Sequence, residues 1–322
     1  MHSAKGTPRN DVARFLSAIE ESGNAFVPGD DIARSRAAFA AMLHAHDAPV
    51  RPLATLRSFA CAGPERPIGL RLFDSLSEAE RRQTPSPAIV FYHGGGFILG
   101  DLDCYASLCS ALAAQTGWPV VAVDYRLGPE HPFPAAPDDC EAAARRIAER
   151  EPSLALPALT GLVLMGDSAG GNLAIVTAQA LAERPAALPA LLQVPVYPLA
   201  GPIARHESYR AYRYGHLLTR EALARFHMGY GAPPDDPRHY PVLHPDLHRA
   251  PPTLLVTAEL DPLRDSGREY GAKLREAGAN VSAIEISGMI HGFMTLRKAI
   301  PSAQSDLERI TDAMIHMLEH PS

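Results

Sequence analysis

Gly166-Asp167-Ser168-Ala169-Gly170 lies within LVLMGDSAGGNLAIVTAQAL, an apolar run followed by a helix-like one. Strand, sharp turn and helix is the setting of a nucleophile elbow. Such a turn forces its serine into a strained backbone conformation. The residues two before and two after crowd it, so both must lack a Cβ. The strain points the hydroxyl outward at a helix N-terminus. A serine alone is a weak nucleophile; it needs a base, and the base needs an acid to orient it. With an elbow of this kind the acid comes next in the chain and the histidine last. Asp261, in TAELDPLRD, directly follows the apolar run TLLVTA, and His291, in SGMIHGF, follows VSAIEI. Both fall just beyond strand C-terminal ends, the edge at which open α/β sheets bind ligands. Glu259 is the second choice for the acid, and Asp265 fits a helix cap better. Among the fourteen histidines, His93, His131 and His216 also merit weighing, but none follows the last strand.

A serine attacking a carbonyl builds negative charge on its oxygen, which preorganised N–H groups must meet. One donor is the amide after the serine, Ala169. Others are expected from a loop after an earlier strand, and VFYHGGGFILGD supplies one. Three consecutive glycines are costly to order, yet they bring bare backbone close to a substrate. Gly95 and Gly96 are the preferred donors and Gly94 the third. His93 is expected to brace this loop with its side chain. Phe97, Tyr197, Tyr212 and Tyr214 are the candidate substrate contacts.

These groups must be carried by a scaffold. Short apolar runs, AIVFY (88–92), VVAVD (120–124), GLVLM (161–165), LLQVPVY (191–197), TLLVTA (253–258) and VSAIEI (281–286), alternate with helical stretches. Runs this apolar fit strands covered on both faces, and the alternation predicts a doubly wound, mostly parallel α/β sheet with helices on both faces. Asp138 and Glu141 give a D-x-x-E capping pattern. Tyr270 and Leu274 mark a helix ending at Gly278, and Leu307, Ile310, Met314 and Met317 mark the last one. Thr55–Cys61 and Ile68–Phe73 read as a hairpin. Before them, Val12, Phe15, Leu16 and Ile19 form a helical stripe ended by Gly23, and Ile32, Phe39, Met42 and Leu43 a looser one. More than fifty residues separate Tyr197 from Thr253, with aromatics at Tyr209, Tyr212, Tyr214, Phe226 and Tyr230. A long insertion in a compact fold is usually a lid or a binding loop. The expected division is N-terminal cap helices over 1–50, a catalytic domain over 51–200 and 241–322, and a cap insertion over 201–240.

The totals limit what else the chain can be. A net charge of -6 with no basic stripe argues against nucleic acid as a partner. No apolar run approaches the length of a membrane span, and MHSAKGTPRNDVARF has no apolar core segment, so neither a secretory signal nor stable membrane insertion is expected. The four cysteines, Cys61, Cys104, Cys109 and Cys140, show no CxxC pairing. They read as free thiols of a reducing compartment, which makes the cytoplasm the expected location.

HGGGF (93–97), DYRLGPEHPFPAA (124–136), GDSAGGNLA (166–174), DPLRD (261–265) and GMIHGF (288–293) together resemble the hormone-sensitive lipase family of α/β-hydrolases, the bacterial family IV esterases. The motifs run in the family's order from about residue 85 to 295. The resemblance implies the α/β-hydrolase fold with a helical cap, and Ser168, Asp261 and His291 as the triad. GDSAG looks like the branch whose acid is the Asp of DPL. Gly128 stands for the commoner Ala and Ser266 for a frequent Glu, which puts a contact near the acid loop in doubt. Arg126 and Glu130 look like the family's structural ion pair. The implied activity is a serine carboxylesterase acting on short- to medium-chain acyl esters through an acyl-enzyme. No cofactor and no metal are implied; the partner is a small-molecule ester, and a homodimer is compatible with the sequence. An amidase or carbamate hydrolase on the same triad is the alternative, as is a non-catalytic binding relative, which typically lacks the histidine that this chain keeps at position 291.

Overall fold

The computed structural model describes residues 6–22, 27–150 and 154–320. Two helices come first, α1 (Asn10–Ser22) and α2 (Ile32–His46). Gly23, the expected end of α1, lies outside the described residues. The side chain of Asp31 caps α2 by accepting from the Arg34 N–H at 3.0 Å. Then follow β1 (Thr55–Cys61), β2 (Ile68–Asp74), α3 (Glu78–Gln83), β3 (Ser86–Tyr92), α4 (Ala106–Thr116), β4 (Val120–Asp124) and α5 (Ala135–Ala148). The second half holds β5 (Leu159–Asp167), α6 (Ala169–Glu183), β6 (Ala190–Val196), α7 (Glu207–Tyr212), α8 (Arg220–Tyr230), β7 (Thr253–Leu260), α9 (Arg264–Glu276), β8 (Val281–Ile290) and α10 (Ser302–Glu319).

The eight strands form one sheet in the order β1-β2-β4-β3-β5-β6-β7-β8. The hairpin β1–β2 and the β2–β4 pair are antiparallel, and every later neighbour is parallel. β3 shows why its run is apolar throughout. Ile89 and Phe91 enter one core with Leu108, Leu112, Leu307 and Ile310, while Ala88, Val90 and Tyr92 enter the other with Ala143, Ile147 and Leu173. A period-two strand between two helical layers must be hydrophobic on both sides. β3 is also where the chain switches direction, with β4 on one side and β5 on the other. Such a switch point opens a crevice beyond the strand ends, and the HGGG loop and Ser168 both leave strands there.

Two expectations are corrected here. Asp138 and Glu141 do not start a helix: α5 begins three residues earlier, at Ala135, with Pro134 at its cap. Pro137 is tolerated because first-turn N–H groups have no helical partner. The acids serve ion pairs instead, Asp138 with Arg238 and Glu141 with Arg145. Arg126 does not pair with Glu130. Its guanidinium lies buried against the buried Asp139, with bonds of 2.9 and 2.8 Å, and also meets Glu65. Glu130, at the surface, is held by Arg36 of α2 at 2.8 and 2.7 Å. The same Arg36 donates to the carbonyls of Ile98 and Gly128, so α2 is tied to the HGGG loop. Just after α2, Asp47 forms a buried bidentate pair with Arg297, both bonds 2.8 Å. Ser266, where the resemblance raised doubt, accepts from the Ala200 and Gly201 N–H groups at 2.9 and 2.8 Å and so fixes the start of the insertion.

Candidate active site

Ser168 follows β5 with φ 54° and ψ −116°, a conformation that a non-glycine residue holds only when its surroundings impose it. The crowding expected of an elbow is present. A Cβ on Gly166 would lie 2.3 Å from the Gly170 carbonyl oxygen, and one on Gly170 would lie 1.9 Å from that of Tyr92. The hydroxyl is thereby presented beyond the sheet edge. His291 follows β8, and its Nε2 lies 2.8 Å from Ser168 Oγ. Its Nδ1 lies 2.7 Å from Oδ2 of Asp261, a fully buried carboxylate at the end of β7. The Leu263 N–H donates to the other Asp261 oxygen at 2.7 Å. With the proton on Nδ1, the imidazole donates to Asp261 and accepts from the serine hydroxyl, an arrangement able to remove that proton during attack. Glu259 points elsewhere, accepting from the Gly288 N–H at 2.7 Å. His216 meets the Tyr214 carbonyl at 2.7 Å and not the serine.

The HGGG loop turns at Gly95 (φ 111°) and Gly96 (φ 61°). Side chains would collide there with the Leu99 carbonyl oxygen at 2.4 Å and the Phe226 ring at 2.2 Å. Among the described residues, the N–H groups of Gly95, Gly96 and Ala169 donate to no protein acceptor. Gly94 differs, because its N–H donates to Asp167 Oδ1 at 2.8 Å. It is therefore removed from the set of oxyanion donors: a committed amide does not turn to a second acceptor. His93 braces the loop as expected, with Nδ1 2.8 Å from the Gly94 carbonyl oxygen and its ring stacked on Tyr125 at 4.3 Å. Burial holds its imidazole below the usual histidine pKa.

Asp167 links the two halves of the site. Besides Gly94 it accepts from the hydroxyls of Tyr105 at 3.2 Å and Tyr197 at 3.4 Å. Burial pushes its pKa up to about 6, against the opposing pull of His291 and of these hydrogen bonds. A carboxyl raised on folding binds its proton in the native state between about pH 4 and 6, where the unfolded chain has lost it. Its contribution to stability is thus complete below about 4 and is lost as pH rises through 6. Asp167→Asn should remove that slope. Denaturant titrations at pH 4 and 7 are expected to show a wild-type loss, relative to the variant, of roughly 2–3 kcal/mol. Parallel stability curves would refute the assignment.

The site opens into a cavity of about 470 Å³. Phe97 lines it. The other three predicted contacts do not. Tyr197 is fully buried behind His291, ring centroids 4.6 Å apart. Tyr212 is buried too, its hydroxyl accepting from the Gly6 N–H at 3.1 Å under the Arg264 guanidinium. Tyr214 is 52% exposed. The wall is made instead by Phe39, Met42 and Leu43 of α2, by Ala222, Phe226 and Tyr230 of α8, and by Tyr209 and His239. Position along a helix was the missed signal: Ala222, Phe226 and Tyr230 recur every four residues and share a face. Helix α1 does not reach the cavity; Arg9, just before it, binds the Gly288 carbonyl at 3.1 Å and Asp306 of α10 at 2.6 Å.

The family model described as the α/β hydrolase fold matches residues 89–295. Ethyl acetate hydrolase of Pseudomonas putida is 37% identical over 70% of this chain and 72% of its own length. Lipase 2 of a Moraxella species is 37% identical over 69% of this chain and 58% of its own. The structure of an ester-hydrolase from the metagenome of Lake Arreo, complexed with a bipyridine phosphonate derivative, superposes with a TM-score of 0.89 at 31% identity, covering 98% of this chain and 100% of that one. An elbow serine within reach of a carboxylate-backed imidazole thus sits in a chain whose relatives hydrolyse carboxylic esters, and the chain belongs to the α/β hydrolases of the hormone-sensitive lipase type, as a carboxylic ester hydrolase.

Proposed function

We propose that the protein is a serine esterase for short- to medium-chain acyl esters. The observation that carries this reading is the continuous relay Ser168 Oγ, His291 Nε2 and Nδ1, Asp261 Oδ2, with links of 2.8 and 2.7 Å, opening on an apolar cavity. His291 takes the hydroxyl proton as Ser168 attacks the carbonyl carbon. Asp261 holds the tautomer and stabilises the imidazolium. The N–H groups of Gly95, Gly96 and Ala169 receive the oxyanion. His291 then gives its proton to the departing alcohol oxygen, leaving an acyl-serine. Water, deprotonated by the same histidine, hydrolyses it. The four buried cysteines suit a reducing compartment, the cytoplasm. Among the described residues no helix is long and apolar enough to cross a membrane.

At about 470 Å³ the cavity is at the small end of ligand pockets, and one relative bears the name of a two-carbon acyl ester. Each methylene in an apolar pocket is worth about 1–3 kcal/mol, so kcat/KM along a p-nitrophenyl acyl series should peak at about four to eight carbons. A rate still rising at long chains would overturn the size argument, and no hydrolysis of any member would overturn the reading itself. We take α2 and the segment holding α7 and α8 as the cap. Deleting residues 1–45 should open the α2 wall, lower stability and raise long-chain rates relative to short-chain ones. Ser168 should still be labelled by a small phosphonate. A soluble truncated protein with an unchanged chain-length profile would refute the cap assignment.

A further inference from the structure

Two residues of the cavity wall carry buried polar atoms that have no use in the steps above. His239, 2% exposed, and Tyr230, 1% exposed, both line the cavity. Among the described residues, neither ring nitrogen of His239 nor the hydroxyl of Tyr230 has a hydrogen-bond partner. Buried polar atoms are nearly always satisfied, because each orphan forfeits its hydration for nothing. Here three fall on two rings whose centroids are 5.8 Å apart.

Both residues are held in place. Asn172 of α6 donates to the His239 carbonyl at 2.8 Å, and the His239 N–H donates to the Asp236 carbonyl at 2.9 Å. The Tyr230 ring is stacked on Phe97 at 3.8 Å and 7°. The His239 imidazole is pushed down to about 4, first by burial and then by the neighbouring His227. At neutral pH it is uncharged, with one nitrogen a donor and the other an acceptor. His239 also packs against the rings of Tyr240 at 4.0 Å and His227 at 5.8 Å, and the same cavity is lined by the apolar Met42, Leu218 and Phe226.

We propose that His239 and Tyr230 form a polar subsite that binds a neutral oxygen, a hydroxyl or carbonyl, carried by the ester substrate away from the bond that is cleaved. The inference rests on the esterase reading and names a substrate class for it: oxygenated esters, favoured over their alkyl isosteres. A neutral imidazole and a phenol satisfy an uncharged oxygen fully, whereas a carboxylate there would give up its hydration for two uncharged partners. An alkyl group would leave all three polar atoms dry and unpaired. That penalty, more than any attraction, is how a hydrogen-bonding site rejects an analogue lacking the group.

The test compares kcat/KM for p-nitrophenyl ω-hydroxyacyl esters with their methyl-for-hydroxyl isosteres, and for monoacetates of terminal diols with alkyl acetates. The first series places the hydroxyl on the acyl side and the second on the alcohol side. Each protein's alkyl rates are its internal reference. The wild type should prefer the hydroxylated member in at least one series. His239→Phe and Tyr230→Phe should each lower that preference about tenfold or more. Tyr230→Phe keeps the ring stacked on Phe97, so it stays informative if the histidine variant folds poorly. A wild type indifferent to the hydroxyl in both series would mean that water alone satisfies these groups, and overturns the proposal. So does a preference that both variants retain. Ser168→Ala must abolish all of these rates. If it does while the ratios stay flat, only the subsite falls; if the wild type cleaves neither series, the esterase reading falls and takes the subsite with it.

Discussion

Ser168→Ala should fold as the parent does and lose ester hydrolysis by about 10⁴-fold or more, the scale of removing a triad nucleophile. The fold should survive because what imposes the elbow lies outside the hydroxyl. The Ser168 N–H donates to the Val196 carbonyl at 2.9 Å, the Asn172 N–H to the Ser168 carbonyl at 3.1 Å, and the glycines at 166 and 170 relieve the crowding. Alanine keeps all of these. The hydroxyl's partner is His291 Nε2, so its removal takes away the attacking atom and little else. Thermal melts of both proteins alongside kcat/KM for p-nitrophenyl butyrate would read this directly. An equally stable variant retaining more than a few percent of activity would show that another residue attacks the ester.

Asp261→Asn should cost about 10⁴-fold in kcat, nearly as much, although no atom that meets the substrate has changed. The carboxylate accepts from His291 Nδ1 through one oxygen and from the Leu263 N–H through the other. Asparagine can keep the Leu263 bond with its carbonyl, but then turns its NH₂ toward Nδ1. The imidazole must answer with a bare Nδ1, which moves its proton to Nε2. A donor then faces the serine hydroxyl where a base is required, and nothing stabilises the imidazolium. Glu259→Gln is the matched control. Glu259 is only two residues away, but its carboxylate binds the Gly288 N–H, so its loss should move the rate far less. The reverse ranking of the two variants would transfer the acid's role to Glu259.

The turn at Ser168 and the HGGG loop were legible in the sequence because their backbone demands are local. An elbow needs glycines two before and two after the serine, and a close-approach loop needs consecutive glycines. The collisions a Cβ would meet at Gly95, Gly166 and Gly170 are the physical form of those spacings. The sheet was legible too, since strands buried on both faces must read as unbroken apolar runs, as β3 does. The order of strands along the chain was enough to choose Asp261 and His291, because each leaves its strand at the same sheet edge as Ser168.

What surrounds the reacting atoms depended on the tertiary structure. Tyr197, Tyr212 and Tyr214 looked equivalent to Phe226 and Tyr230 as aromatics near an insertion. Which ring faces the cavity depends on how the cap is set against the HGGG loop, and no local pattern encodes that. Gly94 was ranked third among the glycines as a donor, but only Asp167, 73 positions away, shows why its N–H is taken. Arg126 was paired with Glu130, four residues on, whereas the structure sets it against Asp139, thirteen on. Only packing decides which of them is buried beside it. Residue types and short spacings determine the turns that present Ser168 and the glycine loop; contacts between distant segments decide which amides stay free and which rings line the cavity.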